Sequence, residues 1–196
     1  IGDTGQPLSA VATAADVKEY DLQLEVFPAE QRIAGVGSTR FLLLQATDKV
    51  ELKLDSRFEI SDIKVDGVSR TYQRQGGVLT INLGAIRPAS SEVAVSVFYQ
   101  GKPHVAKNAP WAGGTVWSKT PDGQPWIATA VQGEGCDLFW PCKDHFADKA
   151  DRMRIRLTVP KGLSAVTNGV LQGVSDVGTD KQQFDWLLSV PASDYN

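Results

Sequence analysis

A chain of 196 residues, 42% apolar and 22% charged, carries enough apolar material for a large core and no polar low-complexity tract, which excludes an intrinsically disordered segment. Its 20 basic and 23 acidic side chains, net charge -3, are spread along the sequence and leave no basic footprint for a phosphate backbone, so no nucleic acid is expected as a partner. The longest apolar runs, such as residues 41–44, fall far short of the roughly 20 residues that cross a bilayer, so no membrane span is expected either.

Residues 1–15 have neither the basic start nor the apolar centre of a signal peptide, a feature that a cleaved one would not leave behind, and the compartment stays open. At this length one large β domain or two small ones are both possible, and residues 1–16 read as a lead-in. The first clear strand is 20–27, with Leu22, Leu24 and Val26 on one face, and residues 28–31 turn it into a second strand running to 44, a hairpin. Val50, Leu52 and Leu54 mark the next strand and 58–65 another, closed by Asp66-Gly67, where Gly accepts positive φ. Residues 70–74 and 78–83 flank Gly76-Gly77, and Val93, Val95, Val97 and Tyr99 alternate up to Gly101.

Residues 102–129 read as one long irregular segment. Pro103, Pro110, Gly113-Gly114, Pro121-Asp122-Gly123 and Pro125 punctuate it, and Trp111, Trp117 and Trp126 are embedded in it. A segment of that length in a compact domain is usually functional or covers something. Alternation resumes with Met153, Ile155, Leu157 and Val159, continues over 165–174 and ends with Phe184, Trp186, Leu188 and Val190. No dozen-residue stretch has helical periodicity. The expected fold is all-β, a large antiparallel multi-sheet sandwich or saddle-like domain of about a dozen strands.

Catalytic signatures are sparse. His104 and His145 are the two histidines, and the sequence has no His-Glu-x-x-His pair, no Gly-x-Ser-x-Gly elbow and no phosphate-binding glycine loop. The densest polar cluster runs from Gln132-Gly133-Glu134-Gly135-Cys136 through Trp140-Pro141-Cys142-Lys143-Asp144-His145 to Asp148-Lys149. Cys136 and Cys142 suit either a local disulfide or two free thiols. Cys136, Cys142, His145 and Asp148 have a spacing at which a small metal site is conceivable, but no second Cys-x-x-Cys or histidine pair backs it, and no metal is expected in this chain. A blander reading of the same stretch is a surface loop with an exposed Asp144–Lys149 ion pair.

The stretch 132–149, the strand 152–160 that ends in Pro160, and the turn Val166-Thr167-Asn168-Gly169 together resemble the amino-terminal domain signature of the M1 (gluzincin) zinc aminopeptidases. Trp140-Pro141-Cys142-Lys143-Asp144 and Asn168-Gly169 carry the likeness most strongly. Tyr20-Asp21-Leu22-Gln23-Leu24 resembles the family's opening strand, Leu52-Lys53-Leu54-Asp55 its third, and Asp194-Tyr195-Asn196 its link to the catalytic domain. Asp137-Leu138 stand where many members have an arginine, and the Gln-Gly-x-Gly and Lys-Asp-His steps are closer to a bacterial branch. The resemblance covers about 17–196. It implies a parent enzyme that holds zinc in a catalytic domain absent from this chain, and a non-catalytic β domain that caps the active site. Its partners would be that catalytic domain and the amino terminus of a peptide, with Gln132 and Glu134 binding the substrate α-amino group. The competing expectation is a carbohydrate- or peptide-binding β-sandwich module using Trp111, Trp117, Trp126 and Trp140 as aromatic platforms.

Overall fold

The structure is a computed structural model that describes residues 6–131 and 133–192. Period-two alternation becomes strands throughout: β1 (Ala15–Phe27), β2 (Arg32–Leu43), β3 (Thr47–Lys53), β4 (Phe58–Val65), β5 (Val68–Ser69), β6 (Tyr72–Gln75), β7 (Val78–Arg87), β8 (Glu92–Gly101), β9 (Gly114–Lys119), β10 (Pro125–Ala130), β11 (Arg152–Pro160), β12 (Val170–Val177) and β13 (Lys181–Leu188). The one α-helix among the described residues, α1 (Ala10–Thr13), is a single turn capped by Ser9, whose Oγ accepts from the Ala12 N–H. The all-β expectation holds.

Eight strands form the main sheet in the order β12-β13-β11-β1-β2-β8-β4-β5, and two smaller sheets, β3-β7-β6 and β10-β9, accompany it. Each hairpin is closed by residues suited to its turn. Asp66 and Gly67 both take positive φ, 49° and 82°, in the two-residue connection of β4 to β5. One pairing departs from an antiparallel plan: β11 lies parallel to β1, from Glu19↔Arg152 to Glu25↔Thr158, so the large sheet is mixed. Parallel neighbours need a long crossover, and here it comprises everything from β2 to the loop before β11.

The core lies between one face of the large sheet and the β3-β7-β6 sheet. A bulge between Val17 and Glu19 keeps Val17, Tyr20, Leu22 and Leu24 of β1 on that face. They join Phe41 of β2 and Val93, Val95, Val97 and Tyr99 of β8, and across from them stand Val50 and Leu52 of β3 with Leu79, Ile81 and Leu83 of β7. All of these are buried, each contributing about 1.5–3 kcal/mol of hydrophobic stabilisation.

Residues 102–129 are more ordered than their composition predicts. They contain the β9–β10 hairpin, with Thr115 opposite Thr129 and Trp117 opposite Ile127. The breakers sit at its margins: Gly113-Gly114 lead in, Pro121-Asp122-Gly123 turn the chain, and Pro125 is the first residue of β10, where proline is tolerated in a strand.

Candidate functional site

The polar cluster is an inserted loop, residues 133–148, wedged into the core. Gly133 and Gly135 take φ values of 78° and 97°, which bend the chain inward. A side chain on Gly135 would collide with the Asp144 carboxylate. Residues 135–139 and 141–144 are buried, so their polar backbone groups need partners from the sheets. Cys142 exchanges two backbone hydrogen bonds with Lys53 of β3, 2.7 and 3.0 Å, and the Asp55 N–H donates to Asp137 O at 2.9 Å. The Tyr99 hydroxyl donates to Phe139 O at 2.9 Å, and the Lys143 N–H donates to the Tyr20 hydroxyl oxygen at 3.0 Å. Pro141 lies over Gly37 of β2, where a Cβ would stand 2.7 Å from the proline Cγ, and Trp140 meets Tyr20 edge to face at 4.5 Å between centroids. Cys136 and Cys142 are joined by a disulfide, which resolves the two thiol alternatives.

The loop's charges point inward. Asp144 forms no exposed pair with Lys149: its side chain has 0% exposure and accepts from Lys53 Nζ at 3.3 Å, while Lys149 remains at the surface. The carboxylate is drawn in because the side-chain-free turn at Gly135 leaves room for it. The Lys143 ammonium, also buried, pairs with Asp148 and donates to Ala15 O at 2.6 Å, and Asp148 Oδ1 accepts from the Val17 N–H at 3.3 Å. Desolvation, with the nearby Asp148 carboxylate adding to it, pushes the Asp16 carboxyl above the ordinary carboxylate value.

The conceivable metal set does not assemble. The disulfide removes both thiolates, Asp148 is held by Lys143, and His145 accepts the Ala147 N–H through Nδ1 while stacking on Phe146. Among the described residues no three His, Cys, Asp or Glu side chains converge on a common point. The described residues therefore do not fit a zinc centre.

Of the two candidate substrate-binding residues, Gln132 lies outside the described residues, as does the Asp194-Tyr195-Asn196 link. Glu134 sits at the mouth of the loop. Its N–H donates to Val131 O at 3.0 Å, and its side chain lies so close to Gly113 that a Cβ there would stand 2.5 Å from the Glu134 Cγ. Its Oε2 is buried with no hydrogen-bond partner among the described residues. A buried carboxylate oxygen without a donor is costly. The four tryptophans do not form one platform: Trp111 and Trp126 are 82% and 60% exposed, Trp117 is half-buried, and Trp140 is packed on Tyr20. Sequence reasoning missed the anchors Tyr20, Lys53 and Tyr99, which lie in strands remote from the loop, and only their packing partners reveal them.

No family model and no curated protein matches this sequence. Solved structures do match its fold. A two-domain M1 zinc metallopeptidase bound to L-arginine superposes with a TM-score of 0.77 at 19% identity, covering 99% of this chain and 44% of that one. An M1 zinc metallopeptidase from Deinococcus radiodurans gives 0.75 at 20% identity, covering 98% and 41%, and yeast LTA4 hydrolase in complex with bestatin gives 0.70 at 18%, covering 93% and 28%. The likeness spans a bacterial and a yeast protein and singles out no branch. This chain spans less than half the length of those solved structures, and over nearly all of its residues it has a fold that M1 zinc metallopeptidases contain.

Proposed function

We propose that this chain is the amino-terminal domain of an M1 zinc aminopeptidase, an accessory to catalysis that caps the active site and binds the α-amino group of the peptide. The observation that supports it is the buried Oε2 of Glu134, at the rim of the inserted loop, which has no hydrogen-bond partner among the described residues. An exopeptidase must recognise an ammonium at a fixed distance from the scissile bond, and a carboxylate beside an amide oxygen offers acceptors for its three donors. In this reading Glu134 and Gln132 face a catalytic domain outside this chain. That domain would supply the zinc, whose chemistry is to activate water and polarise the scissile carbonyl. The inserted loop's task is positional: with Phe139, Cys142 and Lys143 fixed to β8, β3 and β1, the carboxylate is held ready and little ordering remains to be done on binding.

Two experiments test the reading. The reading frame that contains this chain should encode a His-Glu-x-x-His helix followed by a further glutamate, and a frame without them removes the proposal. In the parent enzyme, Glu134→Gln should lower kcat/KM about 10- to 100-fold on peptides with free amino termini, the loss of a charge-assisted hydrogen bond of about 1.5–3 kcal/mol. An unchanged kcat/KM leaves the domain a docking role only.

A further inference from the structure

The β9–β10 hairpin holds Glu134 by its backbone and by its side chain. The N–H groups of Glu134 and Gly135 both donate to Val131 O, at 3.0 and 3.2 Å. Val131 directly follows Ala130, the last residue of β10, which pairs with Gly114, the first of β9. The side chain is met by Gly113, buried at the entry to β9. A Cβ on Gly113 would stand 2.5 Å from the Glu134 Cγ, 3.2 Å from the Glu134 Cβ and 2.5 Å from Ala130 O.

Glycine at 113 has no conformational reason. Its φ is not positive, unlike those of Gly114, Gly133 and Gly135, so a larger residue could take this backbone shape. What the position requires is space, because packed carbon atoms settle at about 3.5–4.0 Å. Gly113 therefore fills a slot between the end of β10 and the aliphatic part of Glu134. The entry to β9 is itself tied down: Thr115 N–H donates to His104 O at 2.6 Å, and a Cβ on Gly114 would stand 2.7 Å from that same oxygen.

We propose that Gly113 is a positioning residue: its missing side chain sets where the Glu134 carboxylate stands, so the hairpin aims the group that holds the peptide ammonium. The inference rests on the α-amino-binding reading of Glu134 and adds a second support to it. The sheets anchor the loop at Phe139, Cys142 and Lys143, and the hairpin fixes the one side chain at its mouth. A displacement of about 1 Å in such a group can cost about 100-fold in rate.

The test is a double-mutant cycle on kcat/KM in the full-length protein that contains this chain, assayed on a peptide with a free amino terminus. Gly113→Ala and Glu134→Ala should each lower kcat/KM about 10- to 100-fold. With Glu134→Ala in place, the Cγ that a side chain at 113 would strike is gone, so adding Gly113→Ala should lower kcat/KM by no more than about twofold. Full additivity overturns the inference, because Gly113→Ala then acts through Ala130 and the hairpin alone. Glu134→Asp leaves Gly113 intact and withdraws the carboxylate by one methylene, and it decides the matter if Gly113→Ala does not fold. It should lower kcat/KM about tenfold, and native activity in it overturns the inference. A third readout isolates the ammonium. In Gly113→Ala the inhibition constant of n-hexylamine should rise about tenfold while that of 1-hexanol stays within about twofold, and equal rises for both overturn the inference. An unchanged kcat/KM in Glu134→Ala removes the α-amino reading itself, and this inference with it.

Discussion

The inserted loop and the β9–β10 hairpin are neighbours in sequence with similar raw material, glycines, prolines, tryptophans and scattered charges, and they fold in opposite ways. The loop, residues 133–148, goes inward and uses its polar groups on itself and its hosts: Asp144 on Lys53, Lys143 on Asp148 and Ala15, Phe139 on Tyr99. The hairpin is tied at its base by Thr115 N–H to His104 O at 2.6 Å and Ala106 N–H to Thr115 O at 3.0 Å, and its Thr115 Oγ1 and Trp117 Nε1 are buried with no hydrogen-bond partner among the described residues. A polar residue in a glycine-rich segment is thus no sign of function by itself. What separates the two segments is depth: residues 135–139 and 141–144 of the loop are buried, whereas Trp111 and Trp126 of the hairpin segment are exposed.

The comparison breaks most sharply at the loop's buried pair. Lys143→Met leaves the Asp148 charge enclosed and uncompensated, and should cost about 3–5 kcal/mol in chemical denaturation, whereas Lys143→Met with Asp148→Leu should recover most of that loss. If the single variant is as stable as the native chain, the loop is not held by its charges. Removing the bridge comes next. Cys136→Ala with Cys142→Ala reopens a short covalent loop and should cost about 2 kcal/mol on the chain-entropy argument, read as a lower denaturation midpoint with unchanged slope. Tyr99→Phe keeps the ring but leaves the Phe139 carbonyl buried without its donor, and should cost about 1–2 kcal/mol.

Much of the frame is legible before any coordinates. Residues 58–65 read as a strand and form β4 end to end, and the turn chemistry at Asp66-Gly67 and Gly76-Gly77 falls between paired strands. Alternation reports which face a residue occupies and not which strand lies beside it, so the parallel β1–β11 pairing has no local signature. The hairpin was hidden by its own punctuation, although Pro121-Asp122-Gly123 between two short runs is a turn signal in hindsight. At the candidate site, Trp140-Pro141-Cys142 marks the inserted segment but carries no sign of its burial. Asp144 finds Lys53 across 91 positions of sequence, and a salt bridge made by folding cannot be read from either neighbourhood. Gln132 stays a sequence expectation, outside the described residues.

The smallest expected effect tests the other arm of the comparison. Trp111 is 82% exposed on the approach to β9, the largest exposed aromatic of the segment, and it contributes little apolar burial to this chain. Trp111→Ser should therefore change stability by no more than about 0.5 kcal/mol, the range for surface substitutions away from special features. A tryptophan costs solubility when left in water, so a stability-neutral substitution that also weakens association with the rest of the parent protein would mark Trp111 as part of a covered face. A loss above about 1 kcal/mol in this chain alone would mean that the hairpin region is as firmly built into the core as the inserted loop, and the contrast between the two would fall.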